Sequence, residues 1–126
     1  MSTVEVDPSG PLPPYEQIRS QLHDRIRTGA LGGGVRLPSI RQLAGDLQVA
    51  AGTVARAYAE LESAGLIESS RAFGTRVRPG QVLDDEVRRA AARFAGSARA
   101  AGIGLADALG VVRAEWDGVG VAAEPT

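Results

Sequence analysis

The sequence predicts a mainly α-helical chain: three short helices, a β-hairpin, then two further helices. Three observations carry that expectation. Apolar residues recur at helical spacing in three successive blocks between positions 15 and 64. Two short strand-like runs flank Arg71-Ala72-Phe73-Gly74. Beyond the Pro79-Gly80 break, two more apolar stripes at helical spacing follow.

Pro8, Pro11, Pro13 and Pro14 make the first fourteen residues an extended leader that ends at a helix start, where proline is well tolerated. Residues 1–10 are expected to be flexible. From Tyr15 to Thr28, the positions Tyr15, Ile18, Leu22 and Ile26 repeat at helical intervals, and Gly29 stops the run. Residues 30–36 read as a glycine-rich loop. Ser39 can cap the second helix, with Gln42 as its reciprocal partner. Ile40, Leu43, Ala44 and Leu47 then share one face, and Gln48-Val49 make a tight turn. The third helix, at about 51–64, carries Val54, Ala57, Tyr58 and Leu61 as its apolar stripe, and Gly65 is placed to end it.

Helices this short are marginal alone, so they must share one compact core. Leu66 to Ser70 and Thr75 to Arg78 read as two strands joined by a turn. Helix, helix, helix, hairpin is the winged helix-turn-helix order. In that layout one helix braces, the next enters a DNA major groove, and the hairpin follows the backbone or reaches the minor groove. An ordinary αα-hairpin is the alternative reading of the two central helices; the β-hairpin directly after them favours the winged arrangement.

Past residue 80, Leu83, Val87, Ala90, Ala91, Phe94 and Ala98 form one helical stripe. Asp84, Asp85 and Glu86 enrich its first turn, as the helix dipole favours. Gly102 to Gly104 interrupt, and Leu105, Leu109, Val112 and Trp116 form a second stripe. Residues 118–126 are expected to fray. The two helices carry more apolar face than they can hide against each other. Phe94 and Trp116 are each worth roughly 1.5–3 kcal/mol of burial. Either they dock on the first domain, or Leu83, Val87, Phe94, Leu105, Leu109, Val112 and Trp116 form a two-fold dimer interface. The sequence thus divides into a 11–79 winged domain and an 80–117 helical dimerisation segment.

The 126 residues carry a net charge of −1, so gross charge names no partner. Its distribution says more: nine arginines face six acids between positions 11 and 78, leaving that stretch at plus three. Every basic residue is arginine, which suits phosphate and guanine, although the alanine- and glycine-rich composition points to a G+C-rich genome. There is no cysteine, and His23 is the only histidine, so thiolate chemistry and a histidine-based metal site or dyad are excluded. No glycine-rich phosphate loop or nucleophile–base pair is present, and the Asp84–Glu86 cluster is a solvated helix start rather than a metal cage. The expected chain has no cofactor, no metal and no catalytic residues, and with no membrane span or signal peptide it is expected to be cytoplasmic.

Three segments, PPYEQIRSQLHDRI, LPSIRQLAGDLQV and TVARAYAELESAGLIESSRAFGTRV, resemble the N-terminal domain of GntR-type bacterial transcription regulators. The phrases LPSIR and TVARAY, with the very short C-terminal region, look most like the YtrA subfamily. The resemblance implies a small two-helix dimerisation segment and a repressor, commonly linked to operons for ABC-type transporters. It assigns Arg41, the arginine of LPSxR, to base or phosphate; a solvent-exposed helix charge is the alternative. Thr53 matches the polar residue in the first turn of the recognition helix. Ala51 and Gly52, with Ala50, stand where many relatives carry polar or basic readers; small residues there allow close backbone approach to phosphate. Arg56 either meets phosphate or pairs with Glu60 at i+4. Arg71 matches a basic position near the minor groove, while Gly74 and Thr75 match structural wing residues. Ile40 replaces the glutamate common before the arginine, as in the YtrA-like variant.

The expected partners are therefore double-stranded DNA with a near-palindromic operator and a second copy of the chain. An effector, if any, would sit at the dimer interface. The competing expectation is a winged protein-interaction module without specific DNA binding. It would lack the steep salt dependence that phosphate neutralisation imposes.

Overall fold

The computed structural model describes residues 4–118; the remaining parts of the two ends expected to be flexible, 1–3 and 119–126, lie outside them. The chain divides into two compact units, residues 1–83 and 84–126. The elements of the first are α1 (Pro14–Arg27), α2 (Ile40–Leu47), α3 (Ala51–Ser63), β1 (Ile67–Ser70) and β2 (Gly74–Val77).

Each helix boundary has a local cause. Pro14 opens α1 behind Pro13, and Gly29 closes it with φ +86°, a conformation only glycine adopts without cost. Ser39 Oγ accepts from the Gln42 backbone N–H at 3.0 Å and starts α2. Among the described residues the return bond from the Gln42 side chain is not made. Gln48 ends α2 in the left-handed conformation (φ 56°, ψ 46°), so the chain turns sharply into α3. One core joins the three helices: Ile18, Leu22 and Ile26 of α1 meet Leu43 and Ala44 of α2 and Val54, Ala57, Tyr58 and Leu61 of α3. Leu37, Leu66, Ile67 and Val77 extend it beneath the hairpin.

β1 and β2 pair antiparallel, with Ile67 opposite Val77 and Ser70 opposite Gly74. The stretch read as a glycine-rich loop adds a third strand-like segment on the far side of β2. Gly34 N–H donates to Val77 O (2.8 Å), Val77 N–H to Val35 O (2.9 Å) and Leu37 N–H to Thr75 O (2.8 Å). Arg36 thereby lies opposite Arg76. Gly33 is needed here: a Cβ at this position would sit 2.9 Å from the Pro79 Cα.

The leader differs from the flexible arm expected. Val4 is buried in the core at 6 % exposure. Two glutamines of α1 hold the arm in place of a strand partner. Gln21 exchanges hydrogen bonds with the Glu5 backbone (3.0 and 2.7 Å), and Gln17 does so with Asp7 (2.8 and 2.9 Å). The exit from the hairpin is also tied to α1, since Leu83 N–H donates to Arg27 O and Arg27 Nη1 to Gln81 O.

The second unit contains α4 (Asp85–Ala100) and α5 (Leu105–Trp116). Asp84 caps α4 by accepting from the Glu86 and Val87 N–H groups. Leu83, expected on the α4 stripe, precedes this cap and belongs to the first unit. Each helix buries a single alanine, Ala98 in α4 and Ala108 in α5. The remaining stripe is open: Phe94 is half-buried, whereas Val87 is 57 %, Leu105 75 % and Trp116 86 % exposed, with Leu109 and Val112 also exposed. No helix among the described residues is long and apolar enough to cross a membrane.

Candidate nucleic-acid interface

The turn between α2 and α3 is built from its core outward. Tyr58 of α3 is buried and donates its hydroxyl to Pro38 O at 2.7 Å, fastening α3 to the Leu37-Pro38-Ser39 entry of α2. Burial disfavours the phenolate and pushes the Tyr58 pKa up to about 12. With the inner face fixed, Ala51, Gly52 and Ala59 of α3 lie exposed, and Thr53 is half-buried. No side chain caps the first turn of α3, and a Cβ at Gly52 would meet nothing within 4 Å. This end of the helix is bare enough for a phosphate backbone to approach its amides.

The arginines of this unit fall into two groups. Those on α1 and along α3 are engaged within the protein. Arg19 pairs with Glu16 at 2.6 Å, which holds the Glu16 carboxyl below its usual range, and it also faces Glu60 at 3.8 Å. The Arg56 guanidinium lies 3.6 Å from the centroid of the Tyr15 ring, donates to the Tyr15 hydroxyl at 3.0 Å and faces Glu60 at 3.5 Å. Of the two expectations for Arg56, the pairing with Glu60 is present, and Tyr15 adds to it. Arg76 of β2 is likewise held by Glu68 at 3.0 Å.

Arg41, Arg71 and Arg78 form the second group: among the described residues none has an acidic partner. Arg41 is exposed in the first turn of α2, and Arg71 is exposed in the turn between β1 and β2. Thr75 is half-buried on β2, with its hydroxyl 3.2 Å from that of Ser69, a cross-strand contact that stiffens the hairpin. Between the start of α2 and the hairpin runs a groove of about 360 Å³ lined by Arg36, Leu37, Ser39, Ile40, Gln42, Gly74 and Thr75. Ile40, expected on the inner face of α2, is exposed beside it. Its position as the first helical residue, before the inward-facing Leu43 turn, explains that.

Arg36 was not legible as a site residue. It reaches the hairpin only because its segment pairs with β2, and its Nε donates to Phe73 O at 2.9 Å. The described residues contain no cluster of histidine, aspartate or glutamate able to hold a metal ion.

Residues 14–77 match the family of bacterial regulatory proteins named gntR. The chain is 45 % identical over 106 residues to the HTH-type transcriptional regulator Rv1152 of Mycobacterium tuberculosis, covering 84 % of this chain and 88 % of the relative. Among solved structures it is similar to YtrA from Sulfolobus acidocaldarius, a GntR-family transcription factor. That likeness has a TM-score of 0.58 at 31 % identity, over 76 % of this chain and 99 % of that one. It is also similar to the AraR DNA-binding domain in complex with operator ORX1, with a TM-score of 0.53 at 28 % identity, over 61 % and 99 %. The relatives are transcription regulators, not enzymes, and the winged unit is the DNA-binding module they share. The chain belongs to the gntR family of bacterial regulatory proteins and is YtrA-like within it.

Proposed function

We propose that the protein is a homodimeric, sequence-specific repressor. Each copy sets α3 in a major groove and its β1–β2 wing beside the adjacent minor groove. The observation that carries this reading is the division of the arginines. Acids pair with Arg19 of α1 and Arg56 of α3, while Arg41 on α2 and Arg71 at the wing tip have no acidic partner among the described residues and offer their charge to an outside anion. Duplex phosphates supply that anion in a regular array. Arg41 then contacts base or phosphate, Thr53 offers its hydroxyl, and Ala51 and Gly52 admit the backbone to the uncapped amides of α3. Arg71 enters the minor groove, where narrow A·T-rich stretches attract arginine. Arg56 supports α3 from within by its contacts with Tyr15 and Glu60.

The second unit supports pairing. Val87, Phe94, Leu105, Leu109, Val112 and Trp116 are more apolar surface than two helices that bury one alanine each can cover. A second copy of the same face covers it. Two-fold pairing predicts a near-palindromic operator with half-sites about one helical turn, roughly 34–36 Å, apart. The resemblance to YtrA-type repressors supports blocking of the protein's own promoter, in an operon of the ABC-transporter kind. A fluorescence titration with the upstream promoter fragment at 50 and about 200 mM salt tests the reading, alongside sedimentation of the free protein. Binding that weakens by orders of magnitude with salt, by a sedimenting dimer, is the expected result. A monomer that ignores the fragment at low salt would overturn it.

A further inference from the structure

The tip of the wing, between two four-residue strands, is held by residues that the DNA-contact reading leaves unused. Phe73 is the hub. From one side Arg36 Nε donates to the Phe73 carbonyl at 2.9 Å, and from the other the Arg76 guanidinium lies 3.6 Å from the centroid of the Phe73 ring. Neither arginine is loose at its own base. Arg76 is anchored by Glu68 at 3.0 Å, and Arg36 belongs to the segment that pairs with β2. Gly74 adjoins this arrangement with φ +74°, a backbone conformation that residues with a side chain rarely adopt, and a Cβ there would lie in contact with the Arg36 guanidinium at 3.4 Å. At the other end of the turn, Ser70 Oγ accepts from the Ala72 N–H at 2.9 Å. The residues between Ser70 and Gly74 are therefore fixed at both ends, and Arg71 is among them.

We propose that Phe73 is the positioning residue of the wing: clamped by Arg36 and Arg76, it holds the tip so that Arg71 meets the minor groove in one preset geometry. The inference rests on the proposed role of Arg71 and deepens it, by assigning Arg36 and Arg76 to the protein and not to phosphate. The physical gain lies in preorganisation. A mobile arginine loses conformational freedom when it enters a groove, whereas a tip ordered beforehand has already done so. A positioning residue thus controls discrimination between flanking sequences and leaves the number of neutralised phosphates unchanged.

The probe is a duplex selected from a random pool by the wild-type chain, together with the same duplex carrying G·C pairs at the wing-facing flank. Phe73→Ala is expected to reduce the preference between the two roughly tenfold, the worth of one good base-level contact. Circular dichroism and the melting temperature report whether the fold survives. Phe73→Tyr keeps an aromatic face for Arg76 and is expected to retain the preference; it is the informative variant if Phe73→Ala fails to fold. Arg36→Gln is expected to reduce the preference while the slope of log affinity against log salt stays unchanged. Arg71→Ala is the control for the underlying reading. If Arg71→Ala loses the preference but Phe73→Ala keeps it, the positioning role is overturned and the wing reading survives. A salt slope that drops by about one in Arg36→Gln makes Arg36 a phosphate contact and also overturns the proposal. If Arg71→Ala has no effect, the wing reading itself fails and the inference with it.

Discussion

Replacing Tyr58 with phenylalanine separates two roles of one hydroxyl, and the structure sets the size of each. At neutral pH the hydroxyl donates to Pro38 O at 2.7 Å in a buried setting. Its removal costs about 0.5–1.5 kcal/mol, because the carbonyl loses its partner. At high pH the sign reverses. The folded pKa lies at about 12 against an ordinary 10.0. Between those values the unfolded chain gives up a proton that the folded chain retains. Stability is thus fully present below pH 10 and falls as pH rises toward 12. Two units correspond to about 2.7 kcal/mol over the whole window, with roughly half of it gone by pH 11. Urea unfolding followed by helical dichroism at pH 9 and pH 11, on wild type and Tyr58→Phe, measures both. The phenylalanine variant is expected to be the weaker protein at pH 9 and to lose about 1.4 kcal/mol less than wild type between the two pH values. An equally steep fall in both proteins would refute the assignment of this alkaline sensitivity to Tyr58.

Arg41→Ala is expected to cost about 1–3 kcal/mol of specific DNA affinity and to relax selection at one base position, with an unchanged dichroism spectrum; binding-site selection on the variant checks it. Gln48→Gly is expected to stabilise the protein by about 0.5–1 kcal/mol, read from the urea midpoint. It relieves a left-handed residue that costs about 1–2 kcal/mol, less the greater freedom of glycine in the unfolded chain. Leu109→Asp, which puts a charge on the exposed stripe of α5, is expected to convert the dimer to monomer in sedimentation and to weaken operator binding at least a hundredfold through lost avidity.

How much of this was legible in the sequence depends on whether the signal was local. The helices of the winged unit announce themselves because periodicity, the Ser39 cap and the Gly29 and Gly65 stops all act within a few residues. The third strand-like segment did not, since Gly32, Gly33 and Gly34 mask a stretch too short to show alternation. The docked leader was hidden for a related reason. Val4 enters the core only because Gln17 and Gln21, ordinary polar positions on a helix, bond the arm's backbone. The site was partly legible. Arg41 and Arg71 stand at positions the motif order marks, whereas Arg56 finds Tyr15 across 41 residues of sequence, a distance over which spacing carries no information. Arg36 and Phe73 meet across 37 residues for the same reason.

The bare face of α3 also bears on the proposed pairing of two copies. With Ala51, Gly52 and Ala59 exposed and Arg56 turned to Tyr15, α3 itself has little with which to read base edges. On the proposed reading, discrimination in each half-site falls to Arg41, Thr53 and the wing, a few kcal/mol in all at about 1–3 kcal/mol per good contact. A single winged unit with so few readers separates its operator from competing genomic sequence poorly. Joining two through the second unit applies the same discrimination twice, and it raises the effective concentration of the second wing once the first has bound. Sparse side chains on α3 and the exposed apolar residues of α4 and α5 are then two sides of one arrangement. Loss of the pairing face is expected to remove selectivity and not merely affinity. A monomeric variant that still distinguished its operator from random duplex as sharply as the dimer does would place the readers elsewhere.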